Sequence, residues 1–220
     1  METDSSHKEL AWTDYFVNKS ILMRLMKWAQ MKFLAPKFAK VLKPYVKAGD
    51  KVLDAGCGTA TNTLYVCSLT GTEPWGLDIS EVALGEACRT ATRIGLDIRL
   101  TLGDIQKMPF PDKSFDVVWN QGVLEHFKNA DEIISEMARV GRMVFVAVPR
   151  LTLSRELVQR VKTFLGLTAD DVFYLYKESQ LVELMSRING LTFEASGSFS
   201  CLYLFSWTWA CGITDRKEIK

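Results

Sequence analysis

Four side chains have the types and the spacing to do chemistry. Asp54 closes the apolar run "KVLDAG", and Gly56 and Gly58 follow it. Asp78 closes "EPWGLD", 20 residues after Gly58. Asp104 stands in "LTLGDIQ" and His126 in "VLEHF". Glycines directly after an apolar run let the backbone turn tightly and approach a ligand with no Cβ in the way. A carboxylate at the entrance of that turn repels a pyrophosphate and attracts an ammonium or sulfonium group. Asp78 can accept both hydroxyl hydrogens of a ribose, and Asp104 can accept from an exocyclic amine such as that of adenine. His126 carries the side chain that titrates nearest neutrality, which makes it the candidate base. A structural turn would explain the glycines alone, and a helix cap would explain any one acid alone. Three acids at successive strand ends point to one ligand.

These groups need a scaffold that gathers strand ends along one edge. "DKVLDAG" reads as a short buried strand, and "TATNTLYVCSLT" as a helix stopped at Gly71. "EPWGLDIS" is a second strand, with Ser80 capping the helix "EVALGEACRTATRIG". "DIRLTLGD" and "KSFDVVWN" are the third and fourth strands, and "DEIISEMARV" the helix after them. "GRMVFVAVP" is a fifth strand, whose continuous apolar run fits a sheet buried on both faces. Residues 152–165 and 178–189 read as helices. "LTFEASGSFS" and "CLYLFSWTWACGI" read as two closing strands joined by a turn near Gly197. Strands alternating with helices predict a parallel, doubly wound sheet that binds ligands outside its carboxyl edge. Ahead of the sheet, residues 15–34 read as an amphipathic helix. Pro36 opens a second helix that ends before Pro44 and Gly49.

Composition narrows the classes. The 220 residues suit a single α/β domain. It divides into an N-terminal helical lid (1–48), a ligand-binding core (49–150) and substrate-side helices with closing strands (151–220). A content of 48% apolar and 24% charged residues is that of a soluble globular chain, and no apolar run approaches the ~20 residues of a membrane span. "METDSSHKEL" lacks the pattern of a secretory signal. The five cysteines form no CxxC pair, and with two histidines in the chain no metal site is expected. A cytoplasmic location follows as the expectation. Charge is uneven: Lys19, Arg24, Lys27, Lys32, Lys37, Lys40, Lys43 and Lys47 give residues 15–49 a local +8, against +1 for the whole chain. Such a segment suits a solvated lid face, an anionic acceptor, or peripheral contact with an anionic membrane that carries a lipid-like acceptor.

The blocks "VLDAGCGTA", "GLDIS" and "GDIQKMPFPDKSFDVVWNQGVLEHF" resemble, in order and spacing, the class I S-adenosylmethionine-dependent methyltransferases of the small-molecule, type 11-like kind. The resemblance is detailed from Gly49 to Pro149. It implies a Rossmann-like, doubly wound, seven-stranded and mostly parallel sheet with an antiparallel last strand and N-terminal lid helices. It implies S-adenosylmethionine as cofactor, S-adenosylhomocysteine as product, and no metal. It puts Asp54, Gly56 and Gly58 around the methionine moiety, with backbone of Asn120 beside it. Asp78 and Ile79 would hold ribose and adenine, and Asp104 and Ile105 the adenine. Trp12, Tyr15 and Phe16 would close over the donor as part of a lid, Tyr15 as a cofactor contact, or would only pack their helix onto the sheet. Ala60 departs from the pattern, since many members have a third glycine there.

Methyl transfer from a sulfonium is an in-line displacement on an already activated donor, so the protein mainly orients the acceptor and excludes water. A base is needed where the acceptor must lose a proton, and His126, with Glu125 beside it, is placed for that. The aromatic stretch "FSCLYLFSWTWACGI" reads mostly as core strand, with part of it suited to lining an apolar acceptor pocket. The expected activity is therefore methylation of a small, apolar or anionic acceptor, with no stable nucleic-acid partner. Rival readings are an RNA or protein methyltransferase, using lysines with aromatics, and a non-catalytic module that retains the cofactor. A nicotinamide oxidoreductase is disfavoured by Asp54 and by the lack of a complete GxGxxG.

Overall fold

The structure is a computed structural model that describes residues 30–150, 174, 176–201 and 205–214. Its strands are β1 (Lys51–Ala55), β2 (Glu73–Asp78), β3 (Arg99–Leu102), β4 (Phe115–Gln121), β5 (Gly141–Pro149), β6 (Thr192–Cys201) and β7 (Phe205–Ile213). They form one seven-stranded sheet in the order β3-β2-β1-β4-β5-β7-β6. Pairing is parallel from β3 through β5, and β7 runs antiparallel to both β5 and β6. The chain builds outward from β1 through β2 to β3, then returns to β4 on the other side of β1. That reversal opens a crevice at the carboxyl ends of β1 and β4, where a doubly wound sheet receives its ligand.

The helices are α1 (Ala35–Leu42), α2 (Thr61–Thr70), α3 (Glu81–Ile94), α4 (Ala130–Val140) and α5 (Glu178–Arg187). Ser80 caps α3 as its sequence position predicts, accepting from the Ala83 N–H at 3.3 Å. Gly71 and Gly95 end α2 and α3 in the left-handed conformation expected of C-terminal glycines. The apolar run of β5 is divided between two cores. Val144, Val146 and Val148 pack with Ile133, Ile134 and Met137 of α4 and Leu181 and Met185 of α5. Met143, Phe145 and Ala147 face α1 and α2, with Phe38, Leu42 and Val66. This two-sided burial is what a continuous apolar strand signals. Among the described residues, no helix is long and apolar enough to cross a membrane.

The fold class read from the sequence is the one observed, and the helix expected at 178–189 is α5. Two details differ. Gly197 lies inside β6, opposite Trp209, and β6 continues to Cys201 opposite Phe205, so the hairpin does not turn at Gly197. A Cβ at Gly197 would come within 3.0 Å of the Trp209 ring, so the glycine makes room for an indole rather than for a turn. Gln30–Leu34 is a π-helical turn leading into α1. The rest of the helix expected at 15–34, with Trp12, Tyr15 and Phe16, lies outside the described residues, as does that expected at 152–165.

Phe38 fastens α1 to the sheet. It is fully buried and meets four rings edge-on: Trp119 at 5.6 Å, Phe145 at 6.4 Å, Phe199 at 5.0 Å and Trp207 at 5.7 Å. Aromatic pairs at such angles add to the energy of burial. Phe38→Ala should therefore cost about 3–5 kcal/mol and lower Tm by roughly 10 °C in a thermal melt. A loss below ~1 kcal/mol would show that the four rings close the gap without it.

Candidate functional site

The turn after β1 is tied to the end of β2. Gly56 and Gly58 have positive φ, +84° and +51°. A Cβ on Gly56 would lie 2.8 Å from Cγ2 of Val123, so only glycine fits between this turn and the segment after β4. The N–H groups of Gly56 and Cys57 donate to the Leu77 carbonyl at 2.8 and 3.0 Å. The N–H of Gly58 donates to Asp78 Oδ2 at 2.7 Å, and that of Ala60 to the Cys57 carbonyl at 2.7 Å. A phosphate cradle works by offering such N–H groups to an anion. Here four of them already serve the protein. Ala60, where the family pattern has glycine, takes the left-handed conformation (φ +50°) and sits at the start of α2.

Asp78 is 9% exposed. Its Oδ2 accepts from Gly58 and its Oδ1 from the Ser80 N–H at 2.9 Å. Burial raises its pKa, and backbone hydrogen bonds from Ser80, Gly58 and Ile79 work the other way. A carboxylate has about four acceptor positions, so these donors leave part of its capacity for a ribose hydroxyl. Ile79 is half-buried next to it. The Gly103 N–H donates to the Asp78 carbonyl at 3.0 Å, which sets Asp104 beside Asp78. Asp104 is half-buried and its Oδ1 accepts from the Gln106 N–H at 2.9 Å. Ile105 is buried with Leu77 and Met108, where its side chain anchors the loop.

Asp54 is buried, and its carboxylate accepts from the Thr63 hydroxyl of α2. The indole N–H of Trp119 in turn donates to Thr63 Oγ1 at 3.2 Å. Desolvation pushes the Asp54 carboxyl up to about 7, and the charge of Asp78 adds to the rise, while Thr63 and Trp119 pull it down. Asn120 is fully buried at the end of β4. Its Nδ2 donates to the Ala55 carbonyl at 2.7 Å, and its Oδ1 accepts from the Leu124 N–H at 3.1 Å. It thus joins β1 to the short 3₁₀ turn Leu124–His126, which puts half-buried His126 at the same sheet edge. Glu125, in that turn, is buried.

Several residues of this edge had no sequence signal. Thr63 and Trp119 meet Asp54 only through the fold. Asn62 Nδ2 donates to Gln121 Oε1 at 2.9 Å, bridging the first turn of α2 and the end of β4. Cys57 is a buried free thiol whose sulfur fills the space over Gly76, where a Cβ would lie 2.8 Å away. Burial, followed by the charges of Asp54 and Asp78, raises the Cys57 pKa well above that of an ordinary thiol. The site gathers Asp54, Gly56, Gly58, Asp78, Ile79, Asp104, Ile105, Asn120 and His126 along the carboxyl edge of β1, β2, β3 and β4. Tyr15 lies outside the described residues.

Residues 52–143 match the family described as a methyltransferase domain. The chain is 39% identical over 97 residues to the sterol 24-C-methyltransferase ERG6B of Gibberella zeae, covering 43% of this chain and 26% of that protein. It is 32% identical over 106 residues to a probable chloroplastic tocopherol O-methyltransferase of Oryza sativa, covering 47% and 29%. It is 39% identical over 104 residues to the demethylmenaquinone methyltransferase of Tropheryma whipplei, covering 45% and 42%. The chain thus spans about a quarter to two fifths of the length of these curated relatives. Its fold is similar to that of magnesium protoporphyrin IX methyltransferase from Synechocystis with bound SAH, with a TM-score of 0.68, 20% identity, and coverage of 90% of this chain and 89% of that one.

The Asp54 environment sets a sign for pH dependence. Its folded pKa of about 7 lies above the ordinary value of 3.8, so the native state holds this proton more tightly than the unfolded state. Its contribution to stability is complete below about pH 4 and is lost as pH rises through about 7. Asp54→Asn keeps an acceptor for Thr63 and does not titrate. Urea unfolding at pH 5 and pH 8 should show the native protein losing at least ~1 kcal/mol more than the variant. Parallel losses would mean that Asp54 is ionised throughout this range.

Proposed function

We infer that this chain, a class I methyltransferase in its fold and in the sequence of residues 52–143, uses S-adenosylmethionine to methylate a small-molecule acceptor. One observation carries the reading: a glycine turn with four of its N–H groups engaged internally, standing among three carboxylates at or just beyond adjacent strand ends. That arrangement suits a cationic adenosyl ligand and disfavours a dinucleotide. When bound, S-adenosylmethionine supplies a methyl group on a positively charged sulfur.

The chain supplies the rest. The acceptor capacity left on Asp78 would take the ribose hydroxyls, and Asp104 the base amine, with Ile79 against the base. Asp54, when ionised above about pH 7, gives the methionine end a negative field; Gly56 and Gly58 allow close approach, and backbone of Asn120 borders it. His126 would accept the acceptor's proton where one must leave. Relatives named for sterol, tocopherol and demethylmenaquinone methylation support an apolar acceptor. So does Trp207, whose ring lies against Gly122 at the carboxyl edge of β4. Lys32, Lys40, Lys43 and Lys47 are exposed before β1, which favours an acceptor that is anionic or held at an anionic lipid surface.

The test begins with the ligand. At about 100 times Kd, S-adenosylmethionine or S-adenosylhomocysteine should stabilise the protein by about 2.7 kcal/mol, raising Tm by roughly 5–10 °C. NAD should not. Asp78→Asn should weaken S-adenosylhomocysteine binding by at least ~10-fold. Stabilisation by NAD alone would overturn the assignment. Methyl-labelled donor is then offered to pools of apolar acceptors, with and without anionic vesicles, and to RNA and protein. Ligand binding with no transfer to any pool would make the chain a cofactor-binding module.

With an acceptor in hand, His126→Asn should lower turnover by ~100-fold or more and remove the limb of the pH–rate profile that rises through about 6–7, leaving donor affinity unchanged. A uniform loss at every pH would assign His126 to ordering the turn.

A further inference from the structure

The connection from β3 to β4, residues 103–114, carries Asp104 and contains no regular element. Its start is fixed by Gly103 on the Asp78 carbonyl. Asp104 itself belongs to a small turn, in which Gln106 donates to its Oδ1 and Lys107 donates to its carbonyl at 3.2 Å. That turn runs directly into Met108, and from Met108 onward the loop is gripped by the last turn of α4. Glu136 Oε1 accepts from the Met108 N–H at 2.7 Å, while Arg139 Nη2 donates to the Met108 carbonyl at 3.0 Å. One residue of the loop therefore has both backbone groups held by a single side-chain pair, as a neighbouring strand would hold them.

Arg139 is also saturated. Its Nη1 donates to the Phe110 carbonyl and to Asp112 Oδ1, both at 2.8 Å. Its Nε and Nη2 donate to Glu136 Oε2 and Oε1, both at 2.8 Å. A guanidinium has five N–H donors in a fixed fork, and here each has an acceptor. The hydrogen bond from Arg139 holds the Glu136 carboxyl below its ordinary pKa. Lys113, in the left-handed region at φ +55°, closes the far end by donating from Nζ to the Ala138 carbonyl at 2.6 Å and the Gly141 carbonyl at 3.1 Å. Buried Met108 and the edge-on contact of Phe110 with Phe115 at 4.9 Å fill the space beneath. A surface ion pair contributes little by itself. The weight here lies in the bidentate fork and in the backbone groups that it holds.

We propose that Arg139, locked by Glu136, is the positioning residue for base recognition: it fixes the loop from Met108 to Asp112 and so sets where the Asp104 carboxylate meets the exocyclic amine of the bound base. The proposal rests on the reading of Asp104 given above. Arg139 touches neither base nor acceptor, and the prediction is a change in selectivity rather than a loss of fold.

The experiment compares binding of S-adenosylhomocysteine with that of S-inosylhomocysteine, whose base carries an oxygen in place of the amine. Calorimetry is run well below the Tm of each variant. The native protein should prefer the adenosyl ligand by ~10-fold or more. Arg139→Gln should weaken S-adenosylhomocysteine binding by about the same factor, leave the inosyl ligand nearly unchanged, and bring the preference close to one. Arg139→Lys keeps the charge beside Glu136 but loses the fork. It should fall between the two and gives a reading even if Arg139→Gln does not fold. Variants that melt lower yet keep the full preference would overturn the positioning role, with the Asp104 reading intact if Asp104→Ala abolishes the preference. No preference in the native protein would overturn the reading of Asp104, and the proposal with it.

Discussion

The carboxylate of Asp78 accepts from Gly58 on one side and from Ser80 on the other, and the site depends on that double engagement. The first bond holds the glycine turn against the end of β2. The second rigidifies the entry to α3, where Ser80 also caps the helix. The adjacent Leu77 carbonyl takes the N–H groups of Gly56 and Cys57, and the Asp78 carbonyl takes that of Gly103. Within two residues, the end of β2 thus collects the turn after β1 and the loop after β3. A buried carboxylate without such donors would neutralise by taking up a proton. With them, it keeps acceptor capacity facing the crevice.

A second constraint operates from the other side of the crevice. Asn120 links the end of β1 to the turn that carries His126, and Asn62 with Gln121 joins α2 to β4. The crevice is therefore spanned by polar side-chain contacts near its floor. The aromatic packing of Phe38 lies under the same edge and holds α1 against β4, β5, β6 and β7. Backbone approach at the glycine turn, the position of the 3₁₀ turn and the seating of the N-terminal helix thus share one wall of side chains.

Much of this was legible in the sequence, for a local reason. Apolar runs, caps and strand-end acids are properties of short segments, so Asp54 and Asp78 could be placed at strand ends, and Asp104 next to one, without knowing the sheet. What remained hidden depends on contacts between distant segments. Thr63 meets Asp54 across the first βα turn, Trp119 reaches Thr63 from 56 residues away, and Arg139 reaches Met108 from 31. Gly197 shows the opposite failure. A glycine between apolar runs ordinarily marks a turn, but here a facing indole needs the space that a side chain would fill. Ala60 was visible as a departure from the family pattern, while its left-handed backbone was not.

Cys57 gives the site a chemical liability as well as a shape. A thiolate is a strong nucleophile, and a methyl group on a sulfonium is an electrophile, so an ordinary cysteine in the turn proposed to embrace such a cofactor would invite self-alkylation. The structure removes each requirement for that reaction. The sulfur is packed into the space above Gly76, and burial together with two neighbouring carboxylates disfavours the thiolate. Gly76 therefore has a role that no ligand contact reveals: its missing side chain is the compartment in which the thiol is kept inert.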